Sequence, residues 1–278
     1  MPATALPPSG DPSGGAGDGP GRSGGPGIPG GPGRSRGPGA PGGPGRSGGP
    51  GAPGGPGTPG AAKTCDARGM AEIHRMFRAG FGEGRALIGG VAEGDAVHAD
   101  VVGDHLDMLS KALHAHHEGE DTLLWDTLEG RAPSCAGHIA RMKAQHAEML
   151  VHLTALDAAL PAWRSSGRST DAAGVLDTLD GINAALAVHL PDEEQQVVPV
   201  METTLTQQEV DALSEHGRKA TPRGKLFLQL GAILSAQPDG GDEWQREHLP
   251  PPVRLIWRVV GKRKYQANRA ELVGDIRP

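Results

Sequence analysis

The stretch that decides the fold is His114–Trp125, HAHHEGEDTLLW, whose first eight residues carry three histidines and three carboxylates in about two turns of helix. His116 and Glu120 are four residues apart, so they lie about 40° apart around the axis and about 6 Å along it. Upstream, Leu106, Leu109 and Leu113 trace an apolar seam that runs directly into His116 and Glu120. A helix that buries this seam therefore carries an imidazole and a carboxylate where leucine is usual. Two side chains so placed can grip one metal ion from the same face.

Three further segments have seams of the same kind. One runs Met70, His74, Phe77, Phe81, Gly84, Ile88; another Ile139, Met142, His146, Met149, Leu153, Leu156, Leu160; the third Val175, Leu179, Ile182, Leu186, His189, Glu193, Val197, Val200. Alternating steps of three and four residues are the signature of helices in a bundle. The spacing predicts helices over about 66–90, 95–129, 134–161 and 170–203, with Asp95, Ser134 and Thr170 as N-caps. Short connections between long helices predict an all-α, up-down-up-down four-helix bundle. Laid antiparallel at about 1.5 Å per residue, the helices bring His74, His116, Glu120, His146, His189 and Glu193 to between about 12 and 21 Å from one common end. Ionisable groups facing a core are costly unless paired or bound to metal, so six of them in one slab point to a metal site. His114, His117, Asp121 and Glu194 flank the six, either as supports behind them or as ligands themselves if the register shifts by one. His98, His105, His138, His152, His216 and His248 fall off the seams and are expected at the surface or rim.

Around this bundle the chain divides by composition. Most of the 45 glycines and 25 prolines lie in residues 1–62, where every third residue from Gly21 to Gly60 is glycine apart from Arg36. A twelve-residue unit starts at Gly21, Gly33 and Gly45. The pattern is collagen-like, but it is short and interrupted, so a disordered, solvated tail of partly polyproline II character is expected. Residues 63–205 form the predicted bundle and 206–278 a helical C-terminal extension. That extension opens with a capping box at Thr206 and Glu209 and has a further helix at about 222–236. Residues 253–265, VRLIWRVVGKRKY, form a basic amphipathic segment. It can lie on an anionic membrane. The plainer expectation is a helix packed across the bundle with its basic face in solvent, so membrane association is not expected.

Charge and cysteine usage narrow the classes. Outside the tail the chain holds 23 basic and 31 acidic side chains, a balance of −8 that argues against nucleic acid as a partner. Cys65 and Cys135 form no CxxC pair and are expected as free thiols near one bundle end. Residues 1–10 show no basic-then-apolar leader pattern, and no apolar run reaches the ~20 residues of a membrane span, so a cytoplasmic location is expected. Four imidazoles and two carboxylates suit iron or manganese and are too many ligands for one structural zinc.

The pieces IHRMF around His74, HHEGED at 116–121, QHAEM around His146 and HLPDEE at 189–194 together resemble the hemerythrin-like, or HHE cation-binding, proteins. The resemblance spans about residues 66–205. It implies a four-helix bundle with a non-haem di-iron centre held by His74, His116, Glu120, His146, His189 and Glu193. Such a centre binds, reacts with or senses dioxygen, peroxide or nitric oxide. A peroxide-consuming enzyme, or a structural bundle holding zinc or no metal, are the alternatives. Two departures stand out. Met142 occupies the position where oxygen-carrying members have a second third-helix histidine, which implies one less saturated iron. Pro191 sits within HLPDEE and is expected to kink the helix beside His189.

Overall fold

The computed structural model describes residues 62–274, which are helical with no strand among them. The Gly/Pro-rich tail lies outside the described residues, and with it the expectation of its disorder. Four long helices form the bundle: α1 Gly69–Gly89, α2 Ala96–Leu123, α4 Ala136–Ser166 and α5 Ser169–Gln196. Two short helices, α3 Trp125–Arg131 and α6 Val198–Thr204, prolong α2 and α5 beyond single-residue breaks at Leu124 and Val197. Each break falls four residues after a glutamate of the predicted site, Glu120 and Glu193. Pro199 accounts for the second, because it has no N–H for the carbonyl four residues back. Neighbouring pairs α1–α2, α2–α4, α4–α5 and α5–α1 close the ring.

Local signals were legible unevenly. Asp95 caps α2 as expected, its carboxylate accepting the His98 N–H at 3.0 Å. Ser134 and Thr170 do not cap. The residue preceding α4 is Cys135, and α5 begins at Ser169, whose N–H is taken by Glu93 Oε2 at 2.9 Å. Helix α4 runs through Pro161 to Ser166, five residues beyond the predicted end, because buried Trp163 still has core to pack against. It stops at Gly167, which takes φ +61° and ends the helix in the left-handed region. A Cβ on Gly167 would stand 2.5 Å from the Asp95 carbonyl carbon. Helix α5 likewise passes through Pro191 as one helix.

The apolar core is in two parts. On one side lie Phe77, Phe81, Leu106, Leu109, Leu113, Met149, Leu153, Leu179, Ile182 and Leu186 with their neighbours. On the other lie Met70, Leu124, Trp125, Leu128, Ile139, Met142, Val197 and Met201, together with Cys65 and Cys135. Along every long helix the polar site residues fall where the chain passes from one part to the other. On α1 the order is Met70, His74, Phe77; on α4 it is Met142, His146, Met149. The polar layer is a slab between two dry cores.

The C-terminal segment wraps this bundle. Helix α7 (Gln207–Ala220) opens with the predicted capping box, Glu209 N–H donating to Thr206 Oγ1 at 3.3 Å and Thr206 N–H to Glu209 Oε2 at 2.9 Å. It lies along α2, where Gly119 leaves room for the His216 ring. Helices α8 (Leu226–Ser235) and α11 (Lys262–Leu272) pack on α1 and α2 respectively. Between them come α9 (Asp242–His248), α10 (Pro251–Ile256) and a π-helical turn at Trp257–Gly261. Arg269 of α11 grips both oxygens of Glu83 at 2.5 and 2.7 Å, and His105 Nε2 stands 3.3 Å from the same carboxylate. His105 is therefore buried under the extension rather than at the rim, correcting the sequence expectation. His216 is half-buried for a similar reason.

Two outcomes follow from these packing facts. Gly167→Ala should cost about 1–3 kcal/mol, combining a left-handed φ with a backbone collision, and urea unfolding measures it. At Glu83 burial opposes ionisation, but the close approach of His105 and the two hydrogen bonds from Arg269 win and hold its carboxyl at about 2, against 4.5 when free. A folded-state value that is depressed means stability present above pH 4.5 and lost as pH falls towards about 2. Glu83→Gln should flatten that part of the acid-unfolding curve while lowering stability at neutral pH. An unchanged acid limb would remove Glu83 from the account.

Candidate metal centre

All six seam residues meet in the slab. His74 Nε2 stands 3.1 Å from His116 Nε2 and 3.4 Å from Glu193 Oε2. His116 Nε2 is 3.2 Å from Glu120 Oε1, and His146 Nε2 is 3.4 Å from Glu120 Oε2. His189 Nε2 is 3.7 Å from Glu193 Oε2, so Pro191 does not separate this pair. Glu120, Glu193, His74, His146 and His189 are buried, and His116 is nearly so.

A seventh residue joins them. The His117 ring stacks on His146 at 4.1 Å between centroids and meets His189 edge-on at 5.1 Å. The sequence reading left His117 on the flank because one seam has room for only one member of an adjacent pair. Helix α2, however, has two neighbours. Residues 116 and 117 are about 100° apart, so His116 turns to α1, against His74 and Phe77, and His117 turns to α4 and α5. Glu120 falls at an angle between them, within reach of both. The HH doublet beside a shared glutamate was the available signal.

The donors fall into two overlapping groups, each with its ligand atoms within 4.8 Å of one another: His74, His116, Glu120 and Glu193, and His117, Glu120, His146 and His189. Glu120 belongs to both. The second group has three imidazoles although α4 offers only His146. Met142 is buried in the apolar cluster, and α2 makes good its deficit through His117.

The Nδ1 atoms are held from outside. His74 Nδ1 donates to Glu194 at 2.9 Å, and Arg78 donates to the same oxygen. His146 Nδ1 donates to Asp121 at 2.8 Å, which also accepts from the Trp125 indole at 2.7 Å. His189 Nδ1 donates to Gln145 Oε1 at 3.0 Å. Asp121 and Glu194 are thus supports behind the layer, and each fixes a tautomer that presents Nε2 inward. His114 turns away towards Asp157.

Apart from the His74–His116 pair at 3.1 Å, the inward-facing atoms have no hydrogen-bond partner. The Nε2 atoms of His117, His146 and His189, and both oxygens of Glu120 and of Glu193, are buried without a hydrogen bond. Folded proteins leave few such atoms. Ligands about 2.1 Å from a metal stand roughly 3–4 Å from each other, which is the spacing found here. Protonation fits as well. Burial, with the adjacent imidazoles adding to it, pushes His116 and His117 well below the usual histidine range, and burial takes His189 down to about 4. These rings are neutral and free to bind a cation. Burial and the Glu193 charge push Glu120 well above the usual carboxylate range. Burial works against ionised Glu193 too, but the pull of His74, whose Nε2 stands 3.4 Å away, and of the surrounding imidazoles holds it below that range. For His74, burial is outweighed by Glu193 and Glu194, which raise it. The two carboxyls are thus pushed in opposite directions.

Comparison with known proteins agrees with this geometry. The family model described as the Hemerythrin HHE cation binding domain matches residues 66–201. Those residues belong to the hemerythrin HHE cation-binding domain family. No curated protein and no solved structure matched the chain.

The orphaned carboxylates carry a stability consequence. In metal-free protein, Glu120→Leu should raise stability by about 1–4 kcal/mol, since an apolar side chain replaces a buried, unsatisfied acid. Urea unfolding in the presence of a chelator gives the sign. A loss of stability would mean that the carboxyl is satisfied within the layer.

Proposed function

We propose that this layer holds two iron ions and that the protein binds, reacts with or senses dioxygen, peroxide or nitric oxide there. His74, His116 and Glu193 would serve one ion, His117, His146 and His189 the other, with Glu120 shared between them. The observation that carries the reading is the convergence of seven side chains, five of which (His117, Glu120, His146, His189 and Glu193) present buried inward atoms with no hydrogen-bond partner. Imidazoles with carboxylates suit iron, and the two thiols lie in the neighbouring apolar cluster, outside the donor set. Bound iron would supply redox-active, incompletely coordinated sites for a diatomic or peroxide ligand.

The chain's own residues define the conditions. The apolar clusters above and below keep bulk water from the layer and strengthen every charge interaction within it. Glu194 with Arg78, and Asp121 with Trp125, keep the rings from turning when an ion changes charge. Cys65 and Cys135 are buried free thiols, which agrees with a reducing, cytoplasmic setting for this activity.

Metal analysis of protein produced with ample iron tests the proposal. About two irons per chain are expected, falling to about one in His117→Ala, whose remaining group is intact. Ferrous protein should react with nitric oxide and show the change in its visible spectrum. Zinc alone, or no metal, would end the iron reading. Iron-dependent peroxide turnover that is lost in His116→Ala would place the activity among enzymes.

A further inference from the structure

The segment Val253–Lys264, VRLIWRVVGKRK, was expected to bury its apolar face, and the structure reverses this. Only Trp257 and Gly261 are buried. Gly261 permits the contact, since a Cβ there would stand 2.4 Å from the Trp257 ring and 2.8 Å from Phe227. Trp257 and Gly261 turn one face of the segment onto α8. The opposite face carries Leu255, Ile256, Val259 and Val260, exposed by 61, 51, 58 and 41%. The segment also holds five cations, Arg254, Arg258, Lys262, Arg263 and Lys264, and no carboxylate, in a chain whose net charge is −6. Among the described residues none of these five forms an ion pair, although arginines elsewhere, such as Arg131, Arg141 and Arg269, are each paired with an acid.

We propose that this face is a docking surface for an anionic lipid membrane, lying in its plane. Four exposed aliphatic side chains, beside cations on long stems that form no ion pair, match the chemistry of a headgroup layer. The aliphatics enter the acyl boundary and the cations reach back to phosphates. A twofold contact with a second copy would set five cations against five, which repel. Nucleic acid would leave the four exposed aliphatics without an apolar partner. No helix of the described residues is long and apolar enough to cross a membrane, so the contact is peripheral.

Co-sedimentation of the full chain with vesicles tests this, comparing pure phosphatidylcholine with phosphatidylcholine containing phosphatidylserine. Binding is expected on the anionic vesicles only, weakening at high salt. Leu255→Asp with Val259→Asp should abolish it, with an unchanged circular dichroism spectrum. Arg258→Gln with Lys262→Gln should lower partition about 25-fold, about fivefold for each charge near an anionic surface. The proposal is overturned if anionic vesicles are not bound at low salt, or if the Leu255/Val259 variant binds as well as the parent. Concentration-dependent self-association without vesicles, removed by the same variant, would overturn it in favour of a second copy.

Discussion

Desolvation of seven ionisable side chains in one layer is the constraint on which the rest of this protein depends. A buried imidazole loses its proton easily and a buried carboxyl resists ionisation, and here two carboxyls lie among five histidines. The layer is tolerable because each helix contributes at one height and the dry clusters on either side are large enough to hold the bundle together. The slab interrupts the core and is itself a reservoir of unsatisfied donors and acceptors. A cation satisfies them together, so metal binding and bundle stability are linked.

The supports repeat between the two halves of the bundle. Glu120 is followed by Asp121 and Glu193 by Glu194; in each pair the first acid turns inward and the second holds a histidine of another helix from outside. The breaks at Leu124 and Val197 follow four residues after the inward acids. Thus HHEGED and HLPDEE do the same structural work on α2 and α5, and each couples its own helix to a neighbour through one hydrogen bond to Nδ1.

The C-terminal segment adds a second shell of packing without entering the layer. Gly119, beside Glu120, gives α7 its close approach, so the sequence around the site is shaped by the covering helix as well as by the inward-facing donors. Arg269 and His105 meet on Glu83 and tie α11 to α1 and α2. The same wrapping leaves Leu255 and Val259 exposed, because Trp257 and Gly261 form the side that packs on α8.

The sequence by itself determined the helical class, the four seams and the six residues that meet at one level, because heptad-like spacing encodes both which side of a helix is buried and how far along it each residue lies. It also carried the caps at Asp95 and Thr206, whose signals are local. Tertiary structure decided the rest. His117 enters the layer only because α2 has neighbours on two sides, which a single seam does not express. Ser134 and Thr170 lost their capping roles to packing that moved the helix starts. Helix α4 outran its predicted end because Trp163 found a core, and His105 became buried because a helix more than 150 residues later in the chain, at Arg269, lies over it. Side-chain periodicity is a property of one helix, whereas burial is a property of what lies against it.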